Sequence, residues 1–124
     1  MAERKKTSTY SINEQHIIEC NLTFVIAKIG GRWKLQILSK LEERKYRFGE
    51  LKREFSFITE RMLTAQLQAL EKDGLIKRIA YAEVPPRVEY ELTPMAFELI
   101  PIFAELSEWG SRHKRYLESG SLTY

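Results

Sequence analysis

The spacing of apolar residues changes from helical to alternating in the middle of this chain, and the change restricts the folds open to it. Leu63, Leu67 and Leu70 recur at spacings of four and three, which predicts a helix over 60–73 with one buried face. From 87 to 92, apolar and charged residues alternate, as they do in a half-buried strand. The chain must therefore combine helices and a small sheet around a shared core.

The alternating segment has a partner strand shortly before it, at residues 76–82. The connection between the two strands ends in Pro85-Pro86, which stiffens a hairpin tip and offers it no ladder hydrogen bonds. A hairpin that directly follows a helix in this way is typical of a wing. We expect this wing to have two strands.

Two helices are predicted at the start of the folded region. The first begins after Thr23, a plausible N-cap, and ends at Gly30-Gly31, which we interpret as a tight junction between helices. The second is carried by apolar residues from Trp33 to Leu41. A charged loop follows it.

A short amphipathic helix and a tight turn come next. Helical spacing within residues 47–55 is marked by three apolar side chains, Phe48, Leu51 and Phe55. Residues 56–58 are too few for anything but a tight connection, and Thr59 is a suitable N-cap for the long helix that follows. Together these elements predict an α+β fold, mainly α, with a winged helix-turn-helix over residues 20–92.

The last helix, predicted over residues 93–119, is apolar around roughly two thirds of its circumference at about 100° per residue. Thr93 is its expected N-cap, and Pro101 is expected to bend it. Such a wide apolar surface exceeds what a small monomer can cover, so we predict that this helix dimerises the protein. The expected interface residues are Leu99, Ile102, Phe103, Leu106 and Trp109. Residues 1–19 are predicted to be a polar arm that contributes to the dimer interface, and residues 120–124 a tail.

The 60–73 helix carries polar side chains opposite its leucines, and such a face suits a DNA major groove. The predicted contacts on this face are Arg61, Thr64, Ala65, Gln68 and Lys72. Arg61 can donate two hydrogen bonds to guanine, and Gln68 can pair with adenine. The alternative is an ordinary solvated helix face.

Three more residues are expected to contact DNA around this face. They are Arg47 on the preceding helix, Thr59 at the start of the recognition helix and Arg87 at the wing tip. Contacts from arginine to phosphate set the register of a protein on DNA and make its affinity depend on salt. The alternative for Arg87 is an ion pair with Glu83 or Glu89.

The overall charge does not decide the function, since 20 Lys and Arg against 17 Asp and Glu leave only +3. No apolar run approaches the roughly 20 residues that span a bilayer, and the start lacks an apolar signal-peptide core, so we expect a cytoplasmic protein. A single cysteine excludes an internal disulfide.

Catalytic and cofactor motifs are missing from the sequence. No nucleophile has a neighbouring base, so we expect neither enzyme activity nor a cofactor. His16 and His113 lie far apart with no partner at ligand spacing, which argues against a metal site. Trp33 and Trp109 are expected to lie in the core.

The chain resembles the HxlR family of bacterial winged-helix transcription regulators from about Cys20 to Gly110. The resemblance is carried by a cysteine ahead of the first helix, Ile29-Gly30-Gly31-Arg32-Trp33, Arg47-Phe48-Gly49-Glu50-Leu51, Arg61-Met62-Leu63-Thr64, the segment Leu67 to Leu75, Val84-Pro85-Pro86-Arg87-Val88-Glu89-Tyr90 and Leu92-Thr93. It implies a homodimer on palindromic operators that responds to a reactive or small-molecule signal. Cys20 would be the sensor of electrophiles or oxidants; the alternative is an inert buried thiol.

A winged helix used only for protein contacts is the main rival to DNA binding, because a fold does not fix a function. That rival predicts a neutral or acidic recognition face. Arg61, Gln68 and Lys72 favour DNA. Glu60 and Glu71 flank them and keep the alternative open.

Overall fold

Six helices and three strands are described over residues 20–120 by a computed structural model of the protein. The helices are α1 (Asn21–Ile29), α2 (Lys34–Glu43), α3 (Phe48–Glu54), α4 (Glu60–Lys72), α5 (Pro94–Phe97) and α6 (Ile100–Glu118). The strands are β1 (Tyr46–Arg47), β2 (Ile76–Tyr81) and β3 (Arg87–Leu92). The predicted arm at 1–19, with His16, and tail residues 121–124 lie outside the described residues. The order of elements confirms a mainly helical α+β fold with a winged helix-turn-helix.

Unlike α6, which has no buried residue, the other five helices and the three strands all contribute apolar side chains to the core. Its largest fully buried members are Ile37, Leu38, Leu41, Leu51, Leu63, Leu67 and Leu70. Trp33 packs partly against this core, as predicted. Trp109 does not, because 56% of it is exposed and its ring stacks on His113 instead. The expectation of a core position for Trp109 is therefore wrong for the single chain.

The sheet has one strand more than the predicted two-stranded wing. β1 pairs antiparallel with β3, giving the order β1-β3-β2. Tyr46 of β1 lies opposite Tyr90 of β3, and both side chains are buried. The predicted two-stranded hairpin is present as β2 and β3. The additional strand β1 was not predicted, because a strand of two residues has no periodicity of its own and forms only where another strand offers its edge.

The first helix begins earlier than the sequence predicted. Cys20 is the N-cap, and the backbone N–H of Phe24 already donates to the Cys20 carbonyl oxygen at 2.9 Å. Thr23 therefore lies within the first turn of α1, and the predicted capping role of Thr23 is wrong. The Gly30-Gly31 junction is confirmed, because Gly31 adopts a φ of +106° between α1 and α2.

The predicted last helix is two helices. Thr93 is confirmed as an N-cap, since its hydroxyl oxygen accepts from the Ala96 N–H at 3.3 Å. After Phe97 the backbone N–H groups of Glu98 and Leu99 donate to carbonyl oxygens only three residues back, and α6 begins at Ile100. Pro101 lies in the first turn of α6, where a missing N–H costs nothing. The expected bend at Pro101 is therefore wrong, and the proline follows a break instead.

Among residues 20–120, no helix has both the length and the apolar character needed to cross a membrane.

Candidate DNA-binding surface

α4 has one buried face and one polar face. Leu63, Leu67 and Leu70 are 0%, 1% and 0% exposed, as their spacing predicted. The opposite face consists of exposed Arg61, Ala65, Gln68 and Lys72 with half-buried Thr64. We call these five residues the recognition face. Four of them line one shallow surface depression together with Glu60.

The start of α4 is fixed by the residue that the sequence predicted. The Thr59 side-chain oxygen accepts a hydrogen bond from the Met62 N–H at 3.0 Å, which satisfies a free donor of the first turn. Arg61 follows in this turn and makes no ion pair with any other residue between 20 and 120. Its guanidinium is exposed and available to a ligand.

Arg47 lies where β1 meets α3 and shares a surface depression with the wing tip, including Pro85 and Pro86. Its backbone N–H donates to the Glu50 carboxylate at 2.8 Å. This hydrogen bond, with a second from the Arg44 guanidinium at 3.2 Å, holds the pKa of Glu50 below its ordinary value. The charged carboxylate therefore caps α3 and fixes the backbone from which the Arg47 side chain extends.

Arg87 makes the ion pairs that were the alternative to DNA contact. Its guanidinium lies 2.9 Å from Glu83 and 3.8 Å from Glu89. The same group stacks over the Tyr81 ring at 3.9 Å from the centroid. Arg87 is thus engaged within the wing, and a phosphate would have to compete with two carboxylates for it.

Arg78 belongs to this surface and was missed in the sequence. It is exposed on β2 and lines a depression with Thr64 and Gln68 of the recognition face. Its position follows from the register, because Arg78 lies opposite Tyr90, and both line the depression on the α4 side of the sheet. The alternation of side chains along residues 76–82 would have predicted this position of Arg78 only if the sequence had shown which face of the strand is turned toward α4.

The residues predicted for a dimer interface fall into two groups. Leu99 and Phe103 pack against the core of their own chain. Ile102, Leu106 and Trp109 are 53%, 52% and 56% exposed. The sequence did not mark the exposed apolar residues of α1, which are Leu22, Phe24 and Ile26. Two helices therefore present uncovered apolar surface.

Cys20 is partly exposed at the start of α1. Interaction with the Thr23 hydroxyl and then with the Thr23 backbone N–H lowers the pKa of the Cys20 thiol below its ordinary value. The alternative of an inert buried thiol does not fit this exposure. No cluster of three or more His, Cys, Asp or Glu side chains that could hold a metal ion occurs in the described part of the chain.

These elements, with a polar recognition face and basic side chains beside it, define a winged helix-turn-helix of the kind that regulates transcription. The chain belongs to the HxlR-like helix-turn-helix family, whose profile matches residues 28–118. An uncharacterized HTH-type transcriptional regulator of Methanothermobacter thermautotrophicus is 45% identical over 100 residues, covering 81% of this chain and 76% of the relative. YtcD of Bacillus subtilis, described in the same words, is 51% identical over 85 residues, 68% of each chain. The prediction of a helix-turn-helix transcriptional regulator is confirmed.

Solved structures share this fold. The redox regulator HypR in its reduced form matches with a TM-score of 0.75 and 42% identity, covering 81% of this chain and 99% of that one. The reduced form of the transcriptional regulator YodB from Bacillus subtilis matches with a TM-score of 0.69 and 28% identity, covering 75% and 92%. The winged-helix architecture is therefore common to all three proteins.

Proposed function

We propose that the protein binds an operator in double-stranded DNA with the recognition face of α4 in the major groove. The observation that carries this proposal is the division of α4 into a fully buried leucine face and an exposed polar face. An exposed α-helix fits the major groove, and Arg61 and Gln68 are side chains that can form hydrogen bonds with base edges there. Thr64 and Ala65 between them allow close approach.

Contacts with the DNA backbone come from the basic side chains that surround the recognition face. Arg47 and Arg78 are exposed on two sides of it, and Lys72 extends it at the end of α4. Phosphate contacts of this kind position the protein without reading sequence. Arg87 can contact a phosphate only after its ion pair with Glu83 breaks, so we expect it to add less to DNA affinity than Arg47 or Arg78.

The protein acts as a homodimer on a palindromic operator in this proposal. Two recognition helices in successive major grooves require a two-fold arrangement with half-sites one helical turn apart. The exposed apolar side chains Ile102, Leu106 and Trp109 of α6 supply a surface that a second copy would cover.

The first test is the binding of genomic fragments selected by the protein, measured by fluorescence anisotropy at fixed salt. Arg61→Ala should weaken binding about tenfold, because a good bidentate contact to guanine contributes about 1–3 kcal/mol of discrimination. Lys77→Ala removes the same charge from an exposed residue on the opposite face of the sheet, and should change affinity less than about twofold. Equal losses in the two variants would contradict the recognition-face assignment.

The second test concerns the signal. We propose that Cys20 is the residue through which oxidants or electrophiles change DNA binding, supported by its partial exposure and lowered pKa. Diamide should weaken DNA binding of the parent protein by about tenfold and leave Cys20→Ser unchanged. A Cys20→Ser variant that still responds to diamide would remove Cys20 as the sensor.

A winged helix used for protein contacts remains the alternative function. Glu60, which lines the same depression as Arg61, is the observation that favours it. Failure of the protein to retain any genomic fragment above the level of unrelated DNA at low salt would favour this alternative.

A further inference from the structure

The chain between residues 21 and 41 has positive charges and no negative ones. It contains no Asp or Glu, and its four cations are Lys28, Arg32, Lys34 and Lys40. The Lys28 ammonium lies 3.3 Å from the Asp73 carboxylate, and the Lys40 ammonium lies 3.0 Å from that of Glu54. Arg32 and Lys34, which we call the junction cations, form no ion pair with any residue from 20 to 120. Their charges are therefore left without a carboxylate in the described chain.

The junction cations are attached to the start of α2. The Arg32 guanidinium is exposed and lies over the Trp33 ring at 5.5 Å from the centroid. A cation–π contact of this kind holds the side chain without neutralising its charge. The Arg32 carbonyl oxygen also accepts from the Gln36 side-chain amide at 3.3 Å, and Lys34 is the half-buried first residue of α2. Both cations therefore have a defined place on the fold.

Trp33, which separates the two cations, contacts the turn that precedes the recognition helix. The centroids of the Trp33 and Phe57 rings are 5.1 Å apart, and Phe57 is two residues ahead of Thr59, the N-cap of α4. Phe57 also lines a surface depression with Leu35 of α2. The junction cations therefore lie beside the start of α4, where Arg61 begins the recognition face.

Arg78, to which we assigned a phosphate contact, lies farther along α4. It lines a depression with Thr64 and Gln68. From Thr59 to Gln68 the helix rises about 14 Å at 1.5 Å per residue. The major groove is about 12 Å wide and has a phosphate backbone on each side. Cations at the two ends of the recognition face are thus spaced to meet both backbones.

We propose that Arg32 and Lys34 bind phosphates of the DNA backbone that borders the major groove on the side away from Arg78. The assignment rests on the proposed function and extends the DNA contact to residues ahead of the helix-turn-helix. Phosphate is the occupant because the junction cations have no carboxylate partner and their surface continues that of the recognition face. These contacts orient α4 in the groove and add affinity that is independent of base sequence.

The first test measures how binding of the full chain to the selected DNA fragment depends on salt. Combining Arg32→Gln with Lys34→Gln should lower the slope of the logarithm of the binding constant against that of salt concentration by about 2, since each phosphate contact contributes about 1. Arg32→Lys keeps the charge and should keep the slope of the parent protein. Lys77→Gln is the control, because Lys77 is an exposed cation on the sheet face opposite to Arg78. An unchanged slope in the double variant would overturn the proposal.

The second test separates a phosphate contact from an effect on the recognition helix. The double variant should lose affinity for the selected fragment and for unrelated DNA by the same factor, at least about tenfold at physiological salt. Arg61→Ala should instead lose more on the selected fragment, because base contacts carry the sequence preference. A loss confined to the selected fragment would show that the junction cations act through the contact between Trp33 and Phe57, and would overturn the proposal.

The third test locates the phosphates by ethylation interference on the selected fragment. The double variant should lose interference at one or two phosphates, and Arg78→Ala should lose it at different phosphates across the major groove. Loss at the same phosphates in both variants would overturn the placement of the junction cations. Absence of DNA binding by the parent protein, even at low salt, would contradict the proposed function and with it this assignment.

Discussion

Arg78 and Lys77 are consecutive cations on β2, and their side chains lie on opposite faces of the sheet. Arg78 faces the depression that it shares with Thr64 and Gln68, whereas Lys77 lies opposite Glu91 on the other face. Composition treats these two residues as equal. Only the register of β2 against β3 shows which of the two side chains lies beside the recognition face.

Arg78→Ala should therefore reduce the salt dependence of DNA binding. Loss of one phosphate contact lowers the slope of the logarithm of the binding constant against the logarithm of salt concentration by about 1. Binding is measured between low and physiological salt, with Lys77→Ala as the neighbouring control. The assignment of Arg78 fails if both variants keep the slope of the parent protein.

Arg87 illustrates how far the sequence can define a site. Its position at the wing tip was predictable from the hairpin pattern, and so were the two carboxylates within four residues of it. The choice between phosphate and carboxylate was not predictable, because it depends on the cross-strand geometry that brings the Tyr81 ring beneath the guanidinium. The structure places Arg87 with Glu83 and Glu89, and the recognition face carries the proposal instead.

Among the helices and strands, the sequence predicted the ones whose local residue pattern agrees with the way they pack in the fold. The leucine line of α4 and the N-caps Thr59 and Thr93 are local signals, and the structure confirms each of them. β1 and the break before α6 were not predicted. The first depends on the distant partner β3, and the second depends on how the chain turns after Phe97 to pack Phe103 on the core.

Two glycines provide a matched test of the element boundaries. Gly31 has a φ of +106° at the α1–α2 junction, so Gly31→Ala should lower the free energy of unfolding by about 1–2 kcal/mol. Gly49 lies inside α3 with open space around its Cα, so Gly49→Ala should raise that free energy by about 0.5–1 kcal/mol. Urea denaturation measures both, and a stabilising Gly31→Ala would contradict the junction described here.

At the scale of the whole molecule, the described chain leaves a large apolar area uncovered on α1 and α6. The sequence predicted this for α6 from the width of its apolar face, but did not predict it for α1. The reason is that α1 is apolar almost throughout, and only the packing of Val25 and Ile29 on the core determines which side remains outside.

A charge on this surface should separate the subunits without unfolding them. Leu106→Asp is expected to convert a dimer into a monomer, because Leu106 is exposed in the single chain and would be buried only against a second copy. Analytical ultracentrifugation measures the mass, and circular dichroism checks the fold. Ser107→Asp adds the same charge one residue later on α6 and should remain dimeric; a dimeric Leu106→Asp would exclude this part of α6 from the interface.

Because α6 begins separately at Ile100, we expect it to tilt as a rigid helix relative to the core. α6 has 19 residues, a length of about 28 Å at 1.5 Å per residue, and its firm contacts with the core are confined to Ile100 and Phe103 near its base. A rotation of about 10° at that base would move the far end by about 5 Å, roughly one and a half base-pair steps along DNA at about 3.4 Å each. If the α6 helices of two copies form the dimer contact, such a tilt would change the distance between the two recognition helices. The helices would then no longer match the spacing of their half-sites, although neither core had unfolded.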